Sequence, residues 1–235
     1  MIPRPPVVTP GSAPPWGALD PGALSGISLE HVRRALTRGK GEKAGGGDGD
    51  PAALGSRGPG PPAGGRDPGI GAHAAVLVAL FEEGGEARVV LTRRAAHLRS
   101  HRGEVSFPGG RVDPGETIEH AAIREAQEEV GIGSSLVEVV GRLGHLDTLF
   151  SGVRIVPVVG VLHGRPSYDP NPAEVGRVFD AALSDLLSED CYREERWQLD
   201  AANTVPMRFF YVPGETIWGA TARILADLLA LVLGV

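Results

Sequence analysis

The amino-acid sequence predicts an α+β fold, an α/β/α sandwich in which a mixed β-sheet lies between helices. Three observations lead there. Two β-rich runs, "HAAVLVALFEE" at 73–83 and "ARVVLTRR" at 87–94, flank Gly84-Gly85-Glu86, a hairpin signal. "TIEHAAIREAQEEV", 117–130, has helical periodicity and stops at Gly131. Further β-rich and helical runs then intermingle to the C-terminus.

The N-terminal part reads differently. The first 70 residues hold 28 Gly and Pro, whereas the remaining 165 hold 26. That contrast sets a boundary near Gly71 and predicts that 1–70 is largely disordered, because such segments bury too little apolar surface to offset backbone ordering. One island, "ISLEHVRRALTRG", predicts a short helix near 28–38. Ser28 can cap it, Ile27 can staple to Val32, Gly39 can end it, and Leu29, Val32 and Leu36 form a stripe that docks.

The domain is expected over 71–235. After the 117–130 helix, "LVEVVGRLGHLDTLF" (136–150) and "VRIVPVVGVLH" (153–163) are β-rich, and "FDAALSDLLSE" (179–189) reads as helix. "CYREERWQLD" (191–200) and "MRFFYVP" (207–213) read as a strand pair. The chain closes on "IWGATARILADLLALVLGV" (217–235), where Arg223 and Asp227 interrupt an apolar run too short to span a bilayer, so a packed terminal helix is expected.

Composition narrows the function. A formal net charge of −6 argues against nucleic-acid and membrane-surface partners, which favour basic proteins. Cys191 is the single cysteine, so neither an internal disulfide nor a multi-cysteine zinc site is available, and a reducing cytoplasm fits. "MIPRPPVVTPGSAPPWG" carries no secretory signal, and the Gly-rich tail lacks the Lys-Ser/Thr of a P-loop. Neither a nucleic-acid partner nor stable membrane insertion is therefore expected. The oligomeric state is left open, a homodimer included.

The chemistry concentrates after Gly109-Gly110. Glu125, Glu128 and Glu129 recur at i, i+3 and i+4, hence on one helix face, where like charges repel by roughly 0.2–0.5 kcal/mol per pair. Acidic faces are commonly just solvated. Here the opposite face, Ile118, Ala122, Ala126 and Val130, is apolar, and a Cβ-free turn lies directly upstream. Clustered carboxylates beside such a turn suit a hard divalent cation, which takes oxygen ligands and converts the repulsion into attraction.

Gly110, five residues, Glu116, seven residues, then Arg124-Glu125-Ala126-Gln127-Glu128-Glu129-Val130-Gly131-Ile132 resembles the Nudix box, GX5EX7REUXEEXGU. Ala126 departs from it, standing where the pattern asks for a bulky aliphatic. The resemblance implies a Nudix fold and hydrolysis, dependent on Mg²⁺ or Mn²⁺, of a nucleoside diphosphate linked to another moiety. It implies Glu125 and Glu129 as principal metal ligands, with Glu128 adding a ligand or accepting a proton. Arg124 would orient a glutamate, and Gly110 and Glu116 would anchor the loop. General-base duty would fall to Glu128 or Glu129, or to a glutamate outside the box such as Glu174.

Upstream, Val90-Leu91-Thr92-Arg93-Arg94-Ala95, Arg99, Gly103 and Phe107-Pro108-Gly109-Gly110 resemble the second signature of the coenzyme A pyrophosphatase branch, LLTXR[SA]X3RX3GX3FPGG, with Val90 for leucine. "SGVRIVPVVG", "NPAEVGRVF" and "IWGATARIL" are similar to that branch with less weight. The resemblance implies a small-molecule substrate, CoA or its thioesters, cleaved to 3′,5′-ADP and a 4′-phosphopantetheine product. Arg93, Arg94, Arg99 and Arg102 are the candidate phosphate ligands, since guanidinium binds phosphate in bidentate fashion.

Two rivals stand beside this reading: another Nudix activity, on ADP-ribose or dinucleoside polyphosphates, and a non-catalytic nucleotide-sensing domain. His145, Asp147 and Thr148 are weaker candidates for the cleft. Trp218 and Phe150 read as core or pocket wall, and Cys191 as an inert thiol.

Overall fold

The computed structural model describes residues 2–43, 73–98, 100–148 and 152–235. Strand β1 (Val8–Pro10) precedes helix α1 (Leu29–Lys43). The hairpin follows as β2 (His73–Glu83) and β3 (Glu86–Arg94), then β4 (Val105–Ser106), β5 (Gly109–Arg111) and α2 (Ile118–Val130). Next come β6 (Val137–Arg142), β7 (Leu146–Asp147), β8 (Arg154–Leu162) and β9 (Val175–Ala182). The chain ends with β10 (Tyr192–Gln198), β11 (Thr204–Val212), β12 (Glu215–Trp218) and α3 (Gly219–Leu233).

The main sheet is mixed, as expected. β2 and β8 run parallel from His73↔Arg154 to Leu80↔Val161, whereas β3 pairs antiparallel with β2, β4 and β9. β2 and β3 part at their open end, where β5 pairs with β2 and β4 with β3. The segment 105–111 is thereby inserted at the mouth of the hairpin.

β2 is buried on both faces. Ala75, Leu77, Ala79 and Phe81 pack towards α2, and Val78 and Leu80 join the core made with α1 and α3. Strand alternation produces this division, and full burial of each large apolar side chain contributes about 1.5–3 kcal/mol. Against Ala75 and Ala79 lie Ala121, Ala122 and Ala126 of α2. Small residues on both sides let helix and sheet approach closely, which accounts for alanine at 126.

Both ends of α2 are sealed. Thr117 is its N-cap, accepting the His120 N–H at 3.2 Å. Gly131, left-handed at φ 75°, ends it, with Gly131 N–H to Gln127 O at 3.0 Å and Ile132 N–H to Ala126 O at 3.3 Å.

One expectation is corrected in this region. Residues 179–189 do not form a helix: 175–182 is β9, registered on β3 from Arg88↔Ala182 to Arg94↔Val175, and only 185–187 turns, as a 3-10 helix. Pairing with β3 outweighs the helical propensity of Ala and Leu. The strand pair 191–200 and 207–213 forms as expected, as β10 and β11, within a second, antiparallel sheet of order β1-β10-β11-β12.

Its outer strand comes from the segment expected to be disordered. Residues 2–43 pack on the domain through Trp16, Ile27, Val32, Ala35 and Leu36, all buried; the expectation for 44–72 lies outside the described residues. α1 runs past Gly39 to Lys43. Arg33 reaches Glu138 at 2.7 and 2.6 Å, but an exposed pair is worth only about 0–1 kcal/mol, so the apolar stripe carries the docking. Among the described residues no helix is long and apolar enough to cross a membrane.

Trp16 is 1 % exposed, donates its indole N–H to Leu187 O at 3.2 Å, and meets the Tyr192 ring edge-on at 5.2 Å. Trp16→Ala is expected to cost about 3–5 kcal/mol, measured by urea unfolding. A loss well below 1 kcal/mol would mean that the N-terminal segment is not part of the folded core.

Candidate active site

The acidic face of α2 is organised by one guanidinium. Arg124 grips Glu116 with two parallel bonds, Nε to Oε1 at 2.9 Å and Nη2 to Oε2 at 3.0 Å. Its Nη1 donates to Glu125 Oε1 at 3.0 Å and Glu128 Oε2 at 3.2 Å, and Nη2 also to Arg111 O at 3.0 Å. The loop 111–117 and the first turns of α2 are thus stapled together. Glu116 also accepts the Asp113 N–H at 3.1 Å. The Arg124 hydrogen bond is the main reason that its carboxyl is held down to about 2.

Glu129 lies deeper. It is 4 % exposed, and its Oε2 accepts the Gly109 N–H at 3.2 Å. Burial pushes its carboxyl up to about 7; the nearby Glu174 and Glu125 charges add to this, and the Gly109 N–H and Arg94 oppose it. Burial likewise raises Glu125, against the pull of Arg124. Glu128 is the outermost of the three, its side chain 57 % exposed.

The Gly-Gly turn has a steric cause at each position. A Cβ at Gly109 would lie 2.4 Å from Ala75 O on β2, so glycine is required for the turn to sit against the sheet. A Cβ at Gly110 would fall 2.4 Å from the carboxyl carbon of Glu125. The second glycine therefore keeps open the space over that carboxylate.

Arg94, on the α2 face of β3, has a buried Nε with no hydrogen-bond partner, and its charge acts on Glu129. Arg93, one residue earlier, points to the other face and donates to Glu215 Oε1 at 3.2 Å, a carboxylate oxygen shared with Arg177 at 3.0 Å. Arg102 is exposed and lines a cleft of about 370 Å³ with Arg4, Glu104 and Trp218. Arg99 and Phe150 lie outside the described residues. The expected basic cluster is thus divided, with Arg94 alone among the three described arginines drawn to the glutamates.

Glu174, at the entry to β9, is close enough for its charge to act on both Glu125 and Glu129, and it accepts from Asn171 Nδ2 at 3.3 Å. Asn171 escaped the reading of the sequence; its signal was the run "NPAEVGRVF". Two of the weaker cleft candidates are held by local bonds. Thr148 bonds to Val153, Asp147 pairs with Arg154, and Trp218 packs on Trp197 with centroids 6.1 Å apart. Cys191 is buried, and burial pushes its thiol up to about 11.

The carboxylate oxygens of Glu125, Glu128 and Glu129 are the donors a hard divalent ion takes, and the missing Cβ of Gly110 leaves Glu125 uncovered. Among the described residues no three acidic, imidazole or thiol groups converge tightly enough to enclose an ion. With Arg124 occupying Glu125 and Glu128, the donors suit a cation in their chemistry, as an open platform rather than a closed cage.

Fold and site together define an α+β domain whose acidic helix face is shaped by a Gly-Gly turn. The chain belongs to the Nudix family: the NUDIX domain model matches residues 71–205. It is 41 % identical over 161 residues to Nudix hydrolase 22, chloroplastic, of Arabidopsis thaliana, covering 65 % of this chain and 52 % of that protein. It is 39 % identical over 160 residues to an uncharacterized Nudix hydrolase NudL of Photorhabdus laumondii, covering 66 % and 82 %. The chain spans about half the length of the plant relatives it matches. A Nudix hydrolase crystal structure from M. smegmatis, RenU, aligns with a TM-score of 0.42 at 26 % identity, covering 49 % of this chain and 73 % of that one.

Because the folded-state carboxyl of Glu116 is depressed from 4.5 to about 2, its stabilisation is present above pH 4.5 and is lost as pH falls towards 2. Glu116→Gln should therefore lower the thermal midpoint at pH 7, with the deficit shrinking between pH 4.5 and 2. A deficit independent of pH would assign the loss to packing instead.

Proposed function

We propose that this chain hydrolyses the pyrophosphate bond of coenzyme A or its thioesters, with Mg²⁺ or Mn²⁺, to 3′,5′-ADP and a 4′-phosphopantetheine product. One observation carries the reading: the segment resembling the coenzyme A signature, 90–110, runs directly into the turn over Glu125 and brings the unpaired Arg94 Nε beside Glu129. Glu125 and Glu129 would hold the ion, with Glu128 as a further ligand. A bound divalent ion neutralises diphosphate charge and lowers the pKa of its water.

The chain's own residues supply the rest. Arg124 fixes Glu125 and Glu128 relative to Glu116, so the platform is set before substrate arrives. Arg94 lies where it can bind a phosphoryl oxygen, its guanidinium suited to that contact. Glu128, Glu129 and Glu174 are the candidate proton acceptors of this reading. Glu128 Oε2 is bonded to Arg124, Glu129 Oε2 to the Gly109 N–H and Glu174 Oε1 to Asn171, so each carboxylate keeps its second oxygen for a proton. The single buried thiol is compatible with the reducing cytoplasm as the place of action.

A second reading, hydrolysis of another nucleoside diphosphate derivative, has one observation in its favour. Arg93 is neutralised by Glu215 on the far face, so fewer cations surround the glutamates than the signature implies. A sensing role is disfavoured because Glu116, Glu125, Glu128 and Glu129 are all present.

Product analysis with CoA, ADP-ribose and diadenosine polyphosphates, each with Mg²⁺, Mn²⁺ or EDTA, separates these readings. Metal-dependent release of 3′,5′-ADP from CoA, abolished by EDTA, is the expected result. Cleavage of another diphosphate alone would remove the substrate assignment, and no cleavage at all would remove the enzyme.

Gly110→Ala tests the platform. Its Cβ displaces the end of a flexible side chain rather than backbone, so the fold should survive. Turnover should fall roughly 100-fold, as expected for a misplacement of about 1 Å. Unchanged turnover would show that the position of Glu125 is immaterial.

A further inference from the structure

The turn Asn171-Pro172-Ala173-Glu174 joins two parts of the site that are distant in sequence. On one side it closes the C-terminus of α2, where helical carbonyls lack partners. Asp169 N–H reaches Val130 O at 3.0 Å and Asn171 N–H reaches Glu129 O at 2.9 Å. The fit is close, since a Cβ at Gly131 would fall 2.9 Å from that of Asp169. On the other side, Glu174 O accepts the Ala95 N–H at 2.8 Å, and His97 Nε2 lies 3.0 Å from Ala173 O. The turn therefore ties the backbone of Glu129 to the start of the basic segment.

Asn171 is the hub of this joint. Its carbonyl accepts from Glu174 N–H at 3.0 Å and Val175 N–H at 2.8 Å. Its Oδ1 accepts the Ala173 N–H at 3.1 Å, and its Nδ2 donates to Glu174 Oε1 at 3.3 Å. The amide can adopt only this orientation: an N–H requires the oxygen on one side and a carboxylate requires the NH₂ on the other. Backbone and side chain of one residue are thus committed to Glu129 and Glu174 at once.

We propose that Asn171 is a positioning residue, whose side-chain amide holds the Glu174 carboxylate against the metal-side glutamates while its backbone locks the same turn to α2. Aspartate at 171 could cap the turn but has no donor for Glu174, and the single hydroxyl of serine or threonine lies one bond nearer the backbone than Nδ2, which already stands 3.3 Å from Glu174 Oε1. The inference rests on the reading of the Glu125–Glu129 face as a cation platform.

The test uses full-length protein and Mn²⁺ alone, with free Mn²⁺ followed by electron paramagnetic resonance, so it does not depend on the substrate. Asn171→Ser keeps an oxygen for the Ala173 N–H and withdraws the amide donor from Glu174, its shorter hydroxyl stopping one bond short of the Nδ2 position. It should leave the thermal midpoint unchanged and weaken Mn²⁺ binding roughly 10–100-fold, as loss of an outer partner does. Glu174→Gln should weaken binding by at least as much, and Asn171→Ser added to it should cost nothing more. Wild-type Mn²⁺ affinity in Asn171→Ser, or losses that multiply in the double variant, would overturn the proposal while leaving the platform intact. Absence of Mn²⁺ binding by the wild-type chain would overturn the platform, and this inference with it.

Discussion

The arrangement of this site turns on how one guanidinium is shared among carboxylates. Three glutamates on one helix face repel, and two of them are buried enough that desolvation raises their carboxyl groups further. Arg124 offsets this from within the same helix, through bonds to Glu125 and Glu128, and from outside it, through the bidentate grip on Glu116. Lysine could not do the same, because a point charge lacks the planar fork that holds Glu116 while leaving Nη1 for the others. Glu129, beyond the reach of those bonds, has the Gly109 N–H as its neutral donor. The face is therefore charged, oriented and incompletely compensated, a condition that a divalent cation relieves.

Packing makes the geometry exact. α2 lies close to the sheet because alanines face alanines, and the turn over its glutamates lies close to β2 because Gly109 has no Cβ. On the opposite face, α1 and α3 complete the core with residues contributed from before position 44. The N-terminal segment is thus structural at its start, and its Trp16 is among the largest fully buried side chains of the described residues.

Local patterns made some of this legible. The hairpin, α2 and its stop at Gly131 follow from periodicity and turn chemistry over a dozen residues. The shared face of Glu125, Glu128 and Glu129 follows from spacings that one helix must obey. Strand β9 was illegible because "FDAAL" is locally helical and only pairing with β3 reverses it. The docking of Trp16 was masked by surrounding glycine and proline, whereas that of the α1 stripe was readable from its periodicity. The parting of Arg93 from Arg94 was within reach, since neighbours on a strand point to opposite faces. The pairing of Asn171 and Glu174 with α2 was not, because it spans more than forty positions and leaves no periodic trace.

The central claim, that the Glu125–Glu129 face is a cation platform opened by Gly110, is tested most directly by anomalous diffraction from crystals of the protein grown with Mn²⁺. The account predicts an anomalous peak between the Glu125 and Glu129 carboxylates, beneath Gly110, with Arg124 still bonded to Glu116. A peak at another cluster, or none on this face at saturating Mn²⁺, would contradict it.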